Sequence, residues 1–130
     1  MTTPEFLGVD DVIALHDALL EEHGGQSGIR DRGLLESAIA MPMATFDGAF
    51  LHEDLFTMAA AYAFHIAENQ PFVDGNKRAA MGAALVFLDI NGVDVPEATD
   101  ALHQAMLDVS TRRLDKTGLA RLLRGLASGS

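Results

Sequence analysis

Apolar residues recur at intervals of three and four along most of the chain, which is the spacing of amphipathic helices. The pattern predicts six helices, over about 10–23, 31–40, 53–69, 76–90, 96–109 and 117–127. No alternating run is long enough to predict a strand, and residues 43–51 are expected to form an irregular connection. The predicted fold class is therefore all-α, a compact bundle of about six helices in one domain over residues 1–130, with 128–130 as a frayed tail.

Polar and special residues mark the expected helix ends. Asp10 or Asp11 is expected to cap the first helix and Asp31 the second, while Gly24 and Gly25 stop the first. The alanine-rich third and fourth helices are joined by a short loop, so they should be antiparallel and buried together. Residues 70–75 would then lie at one end of the core.

Composition narrows the range of functions. A chain of 130 residues with 48% apolar side chains is enough for one sizeable core, and the absence of cysteine rules out disulfides and thiolate metal sites. A formal net charge of -10 opposes binding to nucleic acid through a basic surface. No basic leader or membrane-length apolar run is present, so a cytoplasmic protein without membrane or direct nucleic-acid partners is expected.

The loop before the fourth helix has the composition of an anion site. Backbone N–H groups of Gly75, Asn76 and Lys77 open a helix, at the positive end of its dipole. Lys77 and Arg78 are adjacent cations at the helix end that normally disfavours cations, which a phosphate ligand would explain. Asp74 beside them should stay ionised and could hold Mg²⁺ bridging phosphate oxygens. The structural alternative is that Asp74 caps the helix, Asn76 closes a turn and both cations are solvated.

Four segments together resemble the Fic/Doc superfamily. They are Gly24–Asp31, Leu34–Ala38, His65–Arg78 and Leu85–Val93. The third segment contains the loop and helix start at residues 70–78, called the anion turn below. Lys77 stands where adenylyl-transferring Fic enzymes usually have glycine, and Met81 where they often have a second arginine. Both features resemble the Doc, or death-on-curing, branch.

The resemblance implies a toxin of a toxin–antitoxin module that uses ATP and Mg²⁺ to phosphorylate a threonine of elongation factor Tu. It also implies a Phd-like antitoxin as partner. Asp74 would be the Mg²⁺ ligand, Asn76, Lys77 and Arg78 the nucleotide-phosphate binders, and the 24–31 loop a flap over substrate.

The sequence departs from the family at its first motif position, where Gln70 replaces the histidine that serves as general base. Glutamine can orient a hydroxyl but cannot take its proton, and loss of a general base costs about 10² to 10⁴ in rate. Among other histidines, His65 lies close enough in sequence to reach the site through a water, or it is a core or boundary residue. The remaining ones, His16, His23, His52 and His103, show no metal-ligand spacing and are expected to face solvent.

Four hypotheses therefore stand. The chain is a Doc-like phosphotransferase with catalytic residues Gln70, Asp74, Lys77 and Arg78, an inactive homologue that binds antitoxin, an adenylyl transferase, or a purely structural helical protein.

Overall fold

A computed structural model describes residues 3–96 and 99–127 and shows an all-α fold. Its six helices are α1 (Val9–His23), α2 (Arg32–Ala40), α3 (Leu55–Asn69), α4 (Asn76–Ile90), α5 (Thr99–Ser110) and α6 (Lys116–Ala127). The predicted fold class is confirmed, and α4 has the predicted bounds. The proposed frayed tail, 128–130, lies outside the described residues.

Helix α3 is the centre of the core. It packs mainly against α4 and α6, and also contacts α2. Small side chains at Ala59, Ala60 and Ala63 are fully buried and let neighbouring backbones approach closely. None of the helices in the described ranges is both long and apolar enough to cross a membrane.

Tyr62 on α3 ties the segment before α1 to the core. Its hydroxyl accepts a hydrogen bond from Leu7 N at 2.8 Å and donates one to Leu7 O at 3.2 Å. Burial raises the pKa of Tyr62 to about 12, so the hydroxyl keeps the proton that it donates. These bonds fix the entry to α1, whose other end reaches the anion turn.

The predicted irregular connection over 43–51 is only partly correct. A 3-10 turn (Met41–Met43) is followed by two short antiparallel strands, β1 (Thr45–Phe46) and β2 (Ala49–Phe50). Asp47 and Gly48 between them have φ values of 52° and 79°, as two-residue hairpin turns require. The Asp-Gly pair was the available signal, and strands this short carry no alternation.

Other helix ends differ slightly from the prediction. Helix α1 begins at Val9 with Gly8 as its N-cap, so the predicted N-cap at Asp10 or Asp11 was wrong. Asp11, at the third helical position, instead accepts the Gly8 N–H at 2.8 Å. Helix α3 begins after Asp54, whose carboxylate accepts the N–H of Thr57. Pro96 lies outside helical geometry, residues 97 and 98 are outside the described residues, and α5 is described from Thr99.

Two histidines that were expected to face solvent are buried, so that prediction was wrong for them. His16 is 2% exposed and His52 is 8% exposed. His16 lies against the anion turn, and the pKa of His52 is lowered by its burial and by the nearby Lys116 charge. His23 and His103 are exposed, as predicted.

Candidate functional site

The anion turn starts at Gln70, which ends α3 in the left-handed conformation. Its φ and ψ are 47° and 57°, and its N–H donates to Ile66 O at 3.0 Å. The guanidinium of Arg30 donates to the last carbonyls of α3, from Nε to Gln70 O at 2.7 Å and from Nη2 to Asn69 O at 2.8 Å. A cation at a helix C-terminus also favours the helix dipole. Arg30 therefore stabilises a backbone conformation that a non-glycine residue rarely adopts.

The segment over residues 24–31 runs alongside the turn. Arg30 N and Asp31 N both donate to Pro71 O, and Val73 N donates to Gly28 O at 3.0 Å. The 24–31 loop, which the family resemblance implies is a flap over substrate, therefore lies directly beside residues 70–74.

Gly25 of this segment lies close to the Asp74 carboxylate. Its φ is 124°, and a Cβ there would be 2.8 Å from Asp74 Oδ2, so only glycine fits without displacing the carboxylate.

The Asn76 side chain closes the turn. Its Oδ1 accepts the N–H of Phe72 at 2.9 Å and its Nδ2 donates to Phe72 O at 3.0 Å. Phe72 itself is buried and anchors the loop in the core. The structural alternative, in which Asn76 closes a turn, therefore holds for its side chain. Only the backbone N–H of Asn76 remains available to a phosphate.

The carboxylate of Asp74 is exposed and held by backbone N–H groups. Gln26 N donates to Oδ2 at 3.1 Å and Gly75 N donates to Oδ1 at 2.9 Å. These two bonds hold the pKa of Asp74 below its ordinary value, and the nearby Arg78 charge lowers it further. Asp74 is therefore ionised at neutral pH. The N–H of Gly75, which was expected to face an anion, points to this carboxylate instead.

Helix α4 begins with unpaired donors and positive charge. Gly75 is its N-cap at φ 78°, and the first backbone bond runs from Ala79 N to Gly75 O. The N–H groups of Asn76, Lys77 and Arg78 therefore lack acceptors within the helix. Lys77 and Arg78 are exposed, and neither forms an ion pair within residues 3–96 and 99–127. This is the arrangement that binds anions at helix N-termini.

The turn opens into a cleft of about 870 Å³, which is large enough for a nucleotide. All six residues predicted for the site line it: Gln70, Asp74, Gly75, Asn76, Lys77 and Arg78. The rest of the wall is largely apolar and comes mainly from α4 and α5, including Met81, Leu85, Leu102 and Met106, with Leu19 of α1 and Ala67 of α3 also contributing. The cleft thus has a charged end at the turn and a largely apolar wall elsewhere.

A metal ion at this site would have Asp74 as its protein ligand. No group of three or more His, Cys, Asp or Glu side chains that could hold a metal occurs in the described part of the chain. Mg²⁺ often binds through one carboxylate together with substrate phosphates and water, so an ionised, exposed Asp74 beside an anion site fits it.

His65 does not belong to the site. It is absent from the residues that line the cleft, and its Nε2 accepts a hydrogen bond from Lys116 Nζ at 3.1 Å. Burial lowers its pKa to about 4, and the Lys116 charge adds to the effect. The reading of His65 as a core or boundary residue fits this environment, and a route to the site through water has no support.

Two residues that hold the turn in place were not predicted from the sequence. Arg30 was predicted only as part of the 24–31 loop, and His16 was expected to face solvent, although both contact the turn. Both act through main-chain carbonyls across long sequence separations, which residue spacing does not reveal. The one available signal for His16 was its position on the apolar face of α1, four residues after the buried Val12.

An all-α domain with a glycine-containing, positively charged turn between its two central helices is the class of protein that this fold and site define. The Fic/DOC family matches residues 6–88. The Toxin Doc of Mycolicibacterium smegmatis is 38% identical over 128 residues, which cover 97% of this chain and 96% of that protein. The Protein kinase doc of Escherichia phage P1 is 34% identical over 117 residues, covering 90% and 91% of the two chains. The chain belongs to the Fic/Doc family.

Proposed function

We propose that this protein is a Doc-type toxin that transfers the γ-phosphate of ATP to a hydroxyl group of a protein. The observation that carries the proposal is the charged end of the cleft, where Asp74, Lys77, Arg78 and the open N–H groups of α4 converge. The names of two relatives, a toxin and a protein kinase, support it. The family resemblance points to a threonine of elongation factor Tu as acceptor, and such a reaction belongs in the cytoplasm.

Each residue has a role in this reaction. The first N–H groups of α4, Lys77 and Arg78 bind and orient the phosphates and offset the charge on the transferring group. Asp74 would hold Mg²⁺, which would supply positive charge to offset that of the phosphates. The Gln70 side chain lines the same cleft and would orient the attacking hydroxyl through its amide oxygen.

The reaction forms one bond and breaks one. The hydroxyl oxygen attacks the γ-phosphorus, the bond from that phosphorus to the β,γ-bridging oxygen breaks, and ADP leaves. The hydroxyl proton goes to water or to a phosphate oxygen, because Gln70 cannot accept it. Loss of a general base costs about 10² to 10⁴ in rate, or about 3 to 5 kcal/mol of barrier. Phosphoryl transfer tolerates this loss better than most reactions, since positioning and charge neutralisation supply most of its catalysis.

The second candidate is an inactive homologue that binds a Phd-like antitoxin, and the presence of Gln70 favours it. The apolar wall of the cleft, between α4 and α5, would receive a disordered antitoxin segment that folds as it docks. Tight binding to an antitoxin without growth arrest on expression would support this candidate. Adenylyl transfer is disfavoured by Lys77 and Met81, and label transfer from α-labelled ATP would revive it.

Calorimetry of Mg²⁺-dependent ATP binding tests the site assignment. We expect Asp74→Ala to abolish the Mg²⁺ dependence and Arg78→Ala to abolish most nucleotide binding. Arg113→Ala removes an exposed arginine that does not line the cleft and serves as a charge-matched control. If both site variants bind ATP as the unchanged protein does, the assignment is wrong.

A further inference from the structure

His16 is a buried polar side chain on α1 that the proposed reaction does not use. It is 2% exposed, and its ring lies on the ring of Phe72 with centroids 3.8 Å apart and planes 6° from parallel. Its Nε2 lies 2.7 Å from the main-chain oxygen of Asp74. A single side chain from α1 therefore contacts the buried anchor of the turn and the residue proposed to hold the metal.

The direction of this hydrogen bond follows from its acceptor. A carbonyl oxygen can only accept, so Nε2 of His16 must carry a hydrogen. The bond is partly shielded from solvent and joins residues 58 positions apart. The His16 ring is also the nearest group to the space where a Gly75 side chain would be, with Nε2 at 3.5 Å from an ideal Cβ.

The peptide unit between Asp74 and Gly75 links His16 to the carboxylate. Its C=O accepts from His16, and its N–H, the amide of Gly75, donates to Asp74 Oδ1 at 2.9 Å. A peptide unit is planar, so holding its oxygen also fixes the direction of its N–H. Gly75 at φ 78° has little intrinsic barrier to other conformations, so the bond from His16 supplies a restraint that the backbone itself lacks.

We infer that His16 is a positioning residue that orients the Asp74 carboxylate for metal and nucleotide by holding the peptide unit between Asp74 and Gly75. The inference depends on the proposed role of Asp74 as metal ligand. Removal of a hydrogen-bonding partner that orients a metal ligand typically weakens metal binding about 10- to 100-fold. A purely structural role would lower stability without this specific effect.

Two substitutions separate the ring of His16 from its hydrogen-bond donor. His16→Phe keeps a ring to stack on Phe72 but has no donor, whereas His16→Gln places an amide Nε2 donor near the position of the imidazole Nε2. His52→Phe is the matched control, because it replaces a second buried histidine that does not line the cleft.

The first measurement is the affinity for a non-hydrolysable ATP analogue in the presence of Mg²⁺, by calorimetry. His16→Phe should bind about 10- to 100-fold more weakly, His16→Gln should recover most of the loss, and His52→Phe should bind as the unchanged protein does. Equal affinities for His16→Phe and His52→Phe would overturn the inference.

The second measurement needs no ligand and keeps the inference testable if the proposed function fails. In two-dimensional ¹H–¹⁵N spectra, His16→Phe should shift the amide signals of Gly75 and Gln26 and speed their hydrogen exchange. His52→Phe should leave both signals in place. The ¹⁵N spectrum of the unchanged protein should show a hydrogen on His16 Nε2. Unshifted amides in a folded His16→Phe would overturn the inference. An Nε2 without hydrogen in the unchanged protein would also overturn it, and this result needs no variant to fold.

Discussion

Arg30 gives the sharpest test of how the turn is held. Arg30→Met keeps most of the aliphatic stem but removes the two hydrogen bonds to Gln70 O and Asn69 O. Only the remaining contacts of the turn would then hold Gln70 in its left-handed conformation, with φ 47°. The structure therefore predicts a loss of stability together with a less ordered Gln70.

The size of the loss follows from the two bonds. A hydrogen bond that involves a charged group contributes about 1.5 to 3 kcal/mol when it is shielded from solvent. Arg30 is exposed, so water replaces part of this contribution once the guanidinium is removed. We expect Arg30→Met to lower the free energy of unfolding by about 1 to 2 kcal/mol, which corresponds to about 3 to 10 °C in Tm for a domain of this size.

Thermal and urea denaturation measure this loss, and Arg32→Met is the matched control. Arg32 lies two positions further along and only approaches Glu36 at 3.8 Å, with both side chains more than half exposed. Its removal should change stability by less than about 0.5 kcal/mol. Equal stabilities for Arg30→Met and Arg32→Met would refute the conclusion that Arg30 stabilises the end of α3.

Two further predictions concern the flanking loop and the acid response. Gly25→Ala should displace the Asp74 carboxylate and weaken Mg²⁺-dependent ATP binding in calorimetry. Gly24→Ala is the control, because Gly24 also has a positive φ but has open space around it, and it should weaken binding less. Equal losses in the two variants would contradict the close approach of Gly25 to Asp74. The pKa of His65 is lowered from 6.5 to about 4 in the folded protein. Between these two pH values the unfolded chain binds a proton at His65 that the folded chain does not, so stability should fall as pH drops from about 6.5 towards 4. His65→Gln, which can still accept from Lys116, should show a shallower fall in urea titrations at pH 7.5 and 4.5; an unchanged fall would exclude His65 as its source.

The sequence predicted those parts of the fold that depend on local pattern. Helices depend on the spacing of apolar residues and on local end signals, such as Asp31 as a cap and Gly24 as a stop, with little reference to the rest of the chain. Both bounds of α4 were predicted correctly. The hairpin over Thr45–Phe50 was missed, because its strands are two residues long and only the Asp-Gly turn marks it.

The site was predictable where its residues are contiguous. The anion turn occupies one run, residues 70–78, so helix physics predicted that Gln70 and residues 74–78 share one end of the core, and all of them line one cleft. The contributions of His16 and Arg30 were not predictable in this way. They reach the turn from α1 and from the 24–31 loop, and only the packed tertiary structure brings them to its carbonyls.

We propose that the chain transfers the γ-phosphate of ATP at a rate that Gln70 limits. The most direct test is label transfer from γ-labelled ATP to purified elongation factor Tu by this protein and by Gln70→His in parallel. We expect transfer to a threonine by the variant, with the unchanged protein slower by about 10² to 10⁴. Label that arrives only from α-labelled ATP, or no transfer by either protein, would contradict it.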